Sequence, residues 1–169
     1  VEHAARAYIG ALKNEPLEAG NLRTLGRVSM RPEVAQRAER MLRIYPTHLP
    51  TYEAIIEAGE LPSVSLYSDF DFQIGYLKTL DGAIDAIRAL EASKGIRFDT
   101  IMSLNFTNPF PWLMDRSAPR AITIGADPFR AVPPPGAPEL QAVTDTDLIL
   151  EPLCPRTVAN EKLAQIYAS

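Results

Sequence analysis

The residues able to do chemistry gather in four short stretches: Asp69 and Asp71, Asn105 and Asn108, Asp127 with Arg130, and Glu151 with Arg156 and Thr157. Carboxylates, amides, guanidinium groups and a hydroxyl suit recognition of hydroxyl-rich or peptide-like groups, and a carboxylate within hydrogen-bond reach of a hydroxyl can act as its general base. Asp71 and Asp127 are the candidate bases, while Asp69, Asn105, Asn108, Trp112, Arg130, Arg156 and Thr157 are the candidate binding residues. Each stretch follows a predicted strand. In an open α/β sheet, ligands bind outside the carboxyl ends of the strands, so the spacing predicts one shared pocket.

Each stretch also has a plainer role. An extended backbone sends Asp69 and Asp71 to one side and Phe70 to the other, whereas one aspartate as an N-cap serves only the following helix. Asn108 precedes Pro109 and suits an N-cap with Pro at the first helical position, which leaves Asn105 unexplained. Gly125 permits close backbone approach beside Asp127 and Arg130, which either present an acceptor and a fork of donors or hold the turn as a pair. Arg156 and Thr157 fall near the first turn of the last helix, where free N–H groups attract anions. Trp112 lies in the apolar stretch from Pro109 to Met114, and either packs there or stacks on a sugar ring. Cys154 has no evident base, because His3 and His48 both lie in the first third of the chain, so a small buried thiol is expected. One cysteine and two histidines at this spacing predict no metal site. Neither dinucleotide nor P-loop glycine strings occur, and no serine nucleophile elbow does.

The elements that must position these residues come in two kinds. Residues 1–60 read as helical: Ala4, Tyr8, Ala11 and Pro16 are matched 34 positions later by Ala38, Leu42, Tyr45 and Pro50. Between them lies Leu22-x-x-Leu25-Gly26, with Pro32 at the expected start of a helix. Leu61-Pro62 marks a boundary, after which residues 61–169 alternate strands and helices. Strands are expected at Val64 to Tyr67, Thr100 to Leu104, Ala121 to Ile124 and Asp147 to Leu150, forming one mostly parallel sheet. Ile74, Leu77, Ile84, Ile87 and Glu91 outline a long amphipathic helix that breaks at Ser93 to Gly95. Shorter helices are expected from Pro109, from Pro138 and after Pro155.

A chain of 169 residues with 46% apolar and 22% charged residues can bury its own core, and its net charge of −4 lacks the basic excess that nonspecific nucleic-acid binding needs. The single cysteine excludes an internal disulfide and fits a reducing, cytoplasmic compartment. No apolar run has membrane-spanning length. Because the chain starts at Val1 and stops within a predicted helix, it reads as a piece of a longer protein.

The 34-residue register and the Leu-Gly element resemble tetratricopeptide repeats. Followed by a Rossmann-like half with Asp147-Leu148-Ile149-Leu150 and a helix up to Ala168, the organisation resembles the start of a two-domain glycosyltransferase of the GT-B architecture. The resemblance implies an acceptor-side half, repeats that hold a protein or glycan acceptor, and a missing C-terminal half that binds a nucleotide sugar. It implies no cofactor in this piece, and little transfer by the piece alone, since both halves must clamp the reactants. The competing reading is a noncatalytic repeat-containing module, or one lobe of a substrate-binding protein, that recognises a peptide or small polar ligand.

Overall fold

The computed structural model describes residues 15–48, 50–51, 69–123, 128–153 and 157–168, apart from the side chains at 37, 41, 44–46 and 69–72. Its elements are β1 (Glu15–Pro16), a 3-10 segment (Gly20–Gly26), β2 (Ser29–Met30), α1 (Pro32–Thr47), α2 (Asp69–Lys94), β3 (Ile101–Ser103), α3 (Phe110–Met114), α4 (Ala137–Thr144), β4 (Leu148–Leu150) and α5 (Val158–Tyr167). Helices and two small sheets make the chain α/β-like. Two compact units divide it, the first ending with Ala86 of α2 and the second taking residues 87 onward together with 48, 50 and 51.

In the first unit β1 and β2 pair antiparallel, Glu15 against Met30 and Pro16 against Ser29. The expected helix over this stretch is therefore replaced by a narrow two-stranded turn. Its cause is visible in the loop: Arg23 sits at φ 52° and kinks the 3-10 segment, so Leu22 to Gly26 cannot continue as an α-helix. Leu22 is fully buried, and a Cβ on Gly26 would stand 2.5 Å from the Ala19 carbonyl oxygen, so this glycine serves a close approach within the loop. Pro32 opens α1 as expected, where its missing N–H costs nothing. Asn21 ties the loop to α2, its backbone N–H donating to Asp81 Oδ1 at 2.9 Å and its amide to the Asp81 carbonyl and Asp85 Oδ1 at 3.1 and 2.9 Å. Lys78 on α2 pairs with Glu39 on α1 at 2.8 Å.

α2 runs on to Lys94 and stops as its sequence requires. Gly95 adopts φ 64°, and the Ile96 N–H returns to the Glu91 carbonyl at 3.1 Å, closing the helix in the Schellman manner. In the second unit β3 and β4 are parallel, with Ile101, Met102 and Ser103 opposite Leu148, Ile149 and Leu150. β3 is buried along its whole length. Met102 and Leu104 pack with Leu163 and Tyr167 of α5, and Ile122, Val132 and Val143 close around them. Ser117 pairs with Thr100, and its carbonyl accepts from the Ile101 N–H at 3.0 Å. Asp147 Oδ2 accepts from the N–H groups of Asp99 and Thr100 at 2.9 and 2.8 Å, which locks the amino-terminal end of the pair.

One expectation about the sheet changes. Ala121 to Ile124 forms no strand among its described residues: Ala121 turns at φ 64°, and Ile122 enters the core from an irregular segment. Among the described residues the sheet comprises two strands and a bridge. Val64 to Tyr67, Ala4, Tyr8, Ala11 and residues 52–60 of the segment read as helical lie outside the described residues.

Candidate functional site

The polar residues best defined by the structure sit where β3 ends and α5 begins. After Ser103 the chain bends through Leu104 and Asn105, and the Leu104 N–H still donates to the Leu150 carbonyl at 2.8 Å, so the ladder carries one residue past the strand. Asn160, in the first turn of α5, is 3% exposed and reaches back to this bend. Its Nδ2 donates to the Leu104 carbonyl at 3.0 Å and to Asn105 Oδ1 at 3.1 Å. Its Oδ1 accepts from the Thr157 N–H at 3.1 Å and from the Thr157 hydroxyl at 2.7 Å. The same hydroxyl oxygen accepts from the Asn160 N–H at 3.2 Å, so Thr157 and Asn160 form a reciprocal capping box.

Asn105 and Thr157, two of the expected binding residues, are thereby brought together through a third residue that sequence reasoning did not name. The Thr-x-x-Asn spacing at the head of a predicted helix was the available signal. A helix start normally satisfies only itself; here the capping amide also holds a strand end 55 residues away in the chain.

Asn108 has a different part from the one expected. Pro109 occupies the N-cap of α3 and no side chain caps that helix. Asn108 Nδ2 instead donates to the Ile101 carbonyl at 2.9 Å. The Ile101 N–H faces Ser117, so the amide of Asn108 continues the hydrogen bonding of that edge beyond the bridge. Asn108 Oδ1 is buried and has no hydrogen-bond partner. Beside this edge, Arg116 Nη2 lies 3.2 Å from both carboxylate oxygens of Glu91, one of which also accepts from the Phe98 N–H at 2.8 Å. Both side chains are 11% exposed, and the Arg116 Nε is buried without a partner, so this pair is part of the scaffold.

The remaining nominated residues fall elsewhere. Asp69 and Asp71 belong to the first residues of α2, so the backbone there is helical rather than extended. Asp127, Arg156 and Cys154 lie outside the described residues. Arg130 is exposed in the turn over residues 128–131, and Glu151 is exposed just after β4. Trp112 is 50% exposed on α3, while its neighbours Phe110, Leu113 and Met114 are buried. Phe106, beside Asn105, is 51% exposed.

Asn105, Thr157 and Asn160 carry no group that titrates near neutral pH, so this cluster can recognise hydroxyl or carbonyl groups but cannot take up a proton. Beside it in the core, Tyr167 has its ionisation pushed above the ordinary value by burial, eased by a hydrogen bond with the Thr123 backbone and reinforced by Glu139. Among the described residues no group of three His, Cys, Asp or Glu side chains could hold a metal ion, and no helix is long and apolar enough to cross a membrane. Searches against protein-family models, curated proteins and solved structures found no match.

Proposed function

We propose that this chain recognises a hydroxyl-bearing ligand at the carboxyl end of β3 and serves as the acceptor-side, Rossmann-like half of a GT-B type glycosyltransferase. The observation that carries the reading is the latch of Asn105, Asn160 and Thr157 at the carboxyl end of a parallel strand pair, the place where open α/β sheets bind ligands. Amides and a hydroxyl held there suit sugar hydroxyls. The acceptor is a protein or glycan, the donor is a nucleotide sugar bound by a further half of the parent protein, and the base is Asp71 or Asp127. The tetratricopeptide-like reading of the first segment draws on α1 and the 34-residue register around it.

The test is transfer by the parent protein from a nucleotide sugar to its acceptor, comparing wild type with Asp71→Asn and Asp127→Asn. Loss of turnover with retained acceptor binding in one variant identifies the base. Wild-type turnover in both removes the catalytic assignment.

One observation favours a second reading, a noncatalytic module for a peptide or small polar ligand: the described cluster carries no titratable group. Acceptor binding by a parent that transfers no sugar would select it.

A further inference from the structure

The two amides of the latch are not free to choose which end they present. Amide oxygen and nitrogen are told apart by their partners, and here the partners at each end are backbone groups of fixed polarity. The Thr157 N–H can only donate, so it claims Asn160 Oδ1. The Leu104 carbonyl can only accept, so it claims Asn160 Nδ2. That same Nδ2 donates to Asn105, which makes the receiving atom Oδ1. The Phe106 N–H, again only a donor, points at the same Oδ1 at 2.8 Å. Three backbone groups therefore turn the oxygen of Asn105 inward, and its Nδ2 is left without an acceptor among the described residues, on a part-exposed residue.

Asn108 is the useful contrast. Its Nδ2 is claimed by the Ile101 carbonyl and its free end is the oxygen, but that oxygen is closed off from the surface. Of the two asparagines in this loop, Asn105 alone offers a free amide end to a ligand.

We infer that Asn105 is a specificity-determining residue whose Nδ2 donates a hydrogen bond to a proton-free oxygen of a sugar acceptor, a ring, glycosidic or acetamido carbonyl oxygen, and that Asn160 is the positioning residue that fixes this polarity. The inference rests on the sugar-binding reading above and adds a direction to it: the ligand group at this point is an acceptor of hydrogen bonds. A ligand placing only donors there is rejected, because two opposed donors leave both unsatisfied.

The decisive substitution is Asn105→Asp. It keeps an oxygen facing the Phe106 N–H and Asn160 Nδ2, and replaces the outward donor by an acceptor of the same shape. Asn105→Ala removes the donor without adding charge. Binding of methyl glycosides of glucose, galactose, mannose and N-acetylglucosamine to the chain is followed by the side-chain amide signals in 15N–1H correlation spectra, with N-acetylglycine methylamide as the peptide-like probe.

The expected result is a shift of the Asn105 amide signal on binding at least one glycoside, a loss of affinity of about tenfold or more in Asn105→Asp, and about three- to tenfold in Asn105→Ala, at unchanged melting temperature for the aspartate variant. A glycoside that binds wild type and both variants equally overturns the role of Asn105 while leaving sugar binding in place. Binding of no glycoside, or of the peptide-like probe alone, overturns the sugar reading and this inference with it.

Discussion

Replacing Asn160 by alanine removes four side-chain hydrogen bonds at once, and the structure indicates how much each matters. Asn105 Oδ1 keeps its bond from the Phe106 N–H, and the Thr157 hydroxyl still accepts from the backbone of residue 160, so those two losses are small. The Leu104 carbonyl belongs to a residue that is 2% exposed, and the Thr157 N–H is part-buried; both lose the side-chain partner that the capping amide supplies. Orphaning the buried carbonyl costs about 1–3 kcal/mol and losing the part-buried bond about 0.5–1.5 kcal/mol, so the sum is about 1.5–4.5 kcal/mol. Urea unfolding is the assay. Trp112 is the only tryptophan and lies in the second unit, so its fluorescence follows the unit that contains Asn160. With an m-value of about 2 kcal/mol per molar, the midpoint should fall by about 1–2 M. Thr157→Ala, which loses only a capping hydroxyl, should cost about 1 kcal/mol. Asn160→Asp should cost at least as much as the alanine, because it sets a carboxylate oxygen against the Leu104 carbonyl and Asn105 Oδ1. A destabilisation by Asn160→Ala below about 0.5 kcal/mol, or one smaller than that of Thr157→Ala, would refute the latch.

Asn108→Ala should change stability by less than about 1 kcal/mol in the same urea assay, since the lost bond to the Ile101 carbonyl is offset by removing a buried oxygen that has no partner. Gly26→Ala should destabilise the first unit by about 1–3 kcal/mol, because its Cβ would lie 2.5 Å from a backbone oxygen; hydrogen exchange at the Leu22 amide, bonded to that same Ala19 carbonyl, should accelerate. For Tyr167 the folded-state pKa is raised above the ordinary 10.0, so its contribution is present below that pH and is lost as pH rises through the folded value. Wild type should lose more stability than Tyr167→Phe between neutral and strongly alkaline pH, as measured by urea midpoints; parallel losses in the two proteins would reject the assignment.

How much could be read in advance depended on whether the cause was local. The apolar spacing from Ile74 to Glu91 and the glycine behind it were enough for α2 and its end, because a left-handed closing residue and an amphipathic stripe are properties of neighbouring residues. Short apolar runs around Met102 and Ile149 marked two strands, and these proved to be direct parallel partners. Thr157 at the head of α5 was legible for the same local reason.

Tertiary structure decided everything that depended on a distant partner. Glu15–Pro16 pairs with Ser29–Met30 as strands, the chain between them kinked at Arg23 and closely approached at Gly26, overriding a small-residue register that also suits helix packing. Asn108 abandoned its helix for the edge of β3, and Ile122 joined the core without becoming a strand. Asn160 falls within a stretch expected to be helical, and its meaning lies in a carbonyl 56 positions away. Local pattern determines which segments are helical or extended; the polarity that Asn105 presents is set by backbone donors and acceptors that only folding brings within 3.1 Å.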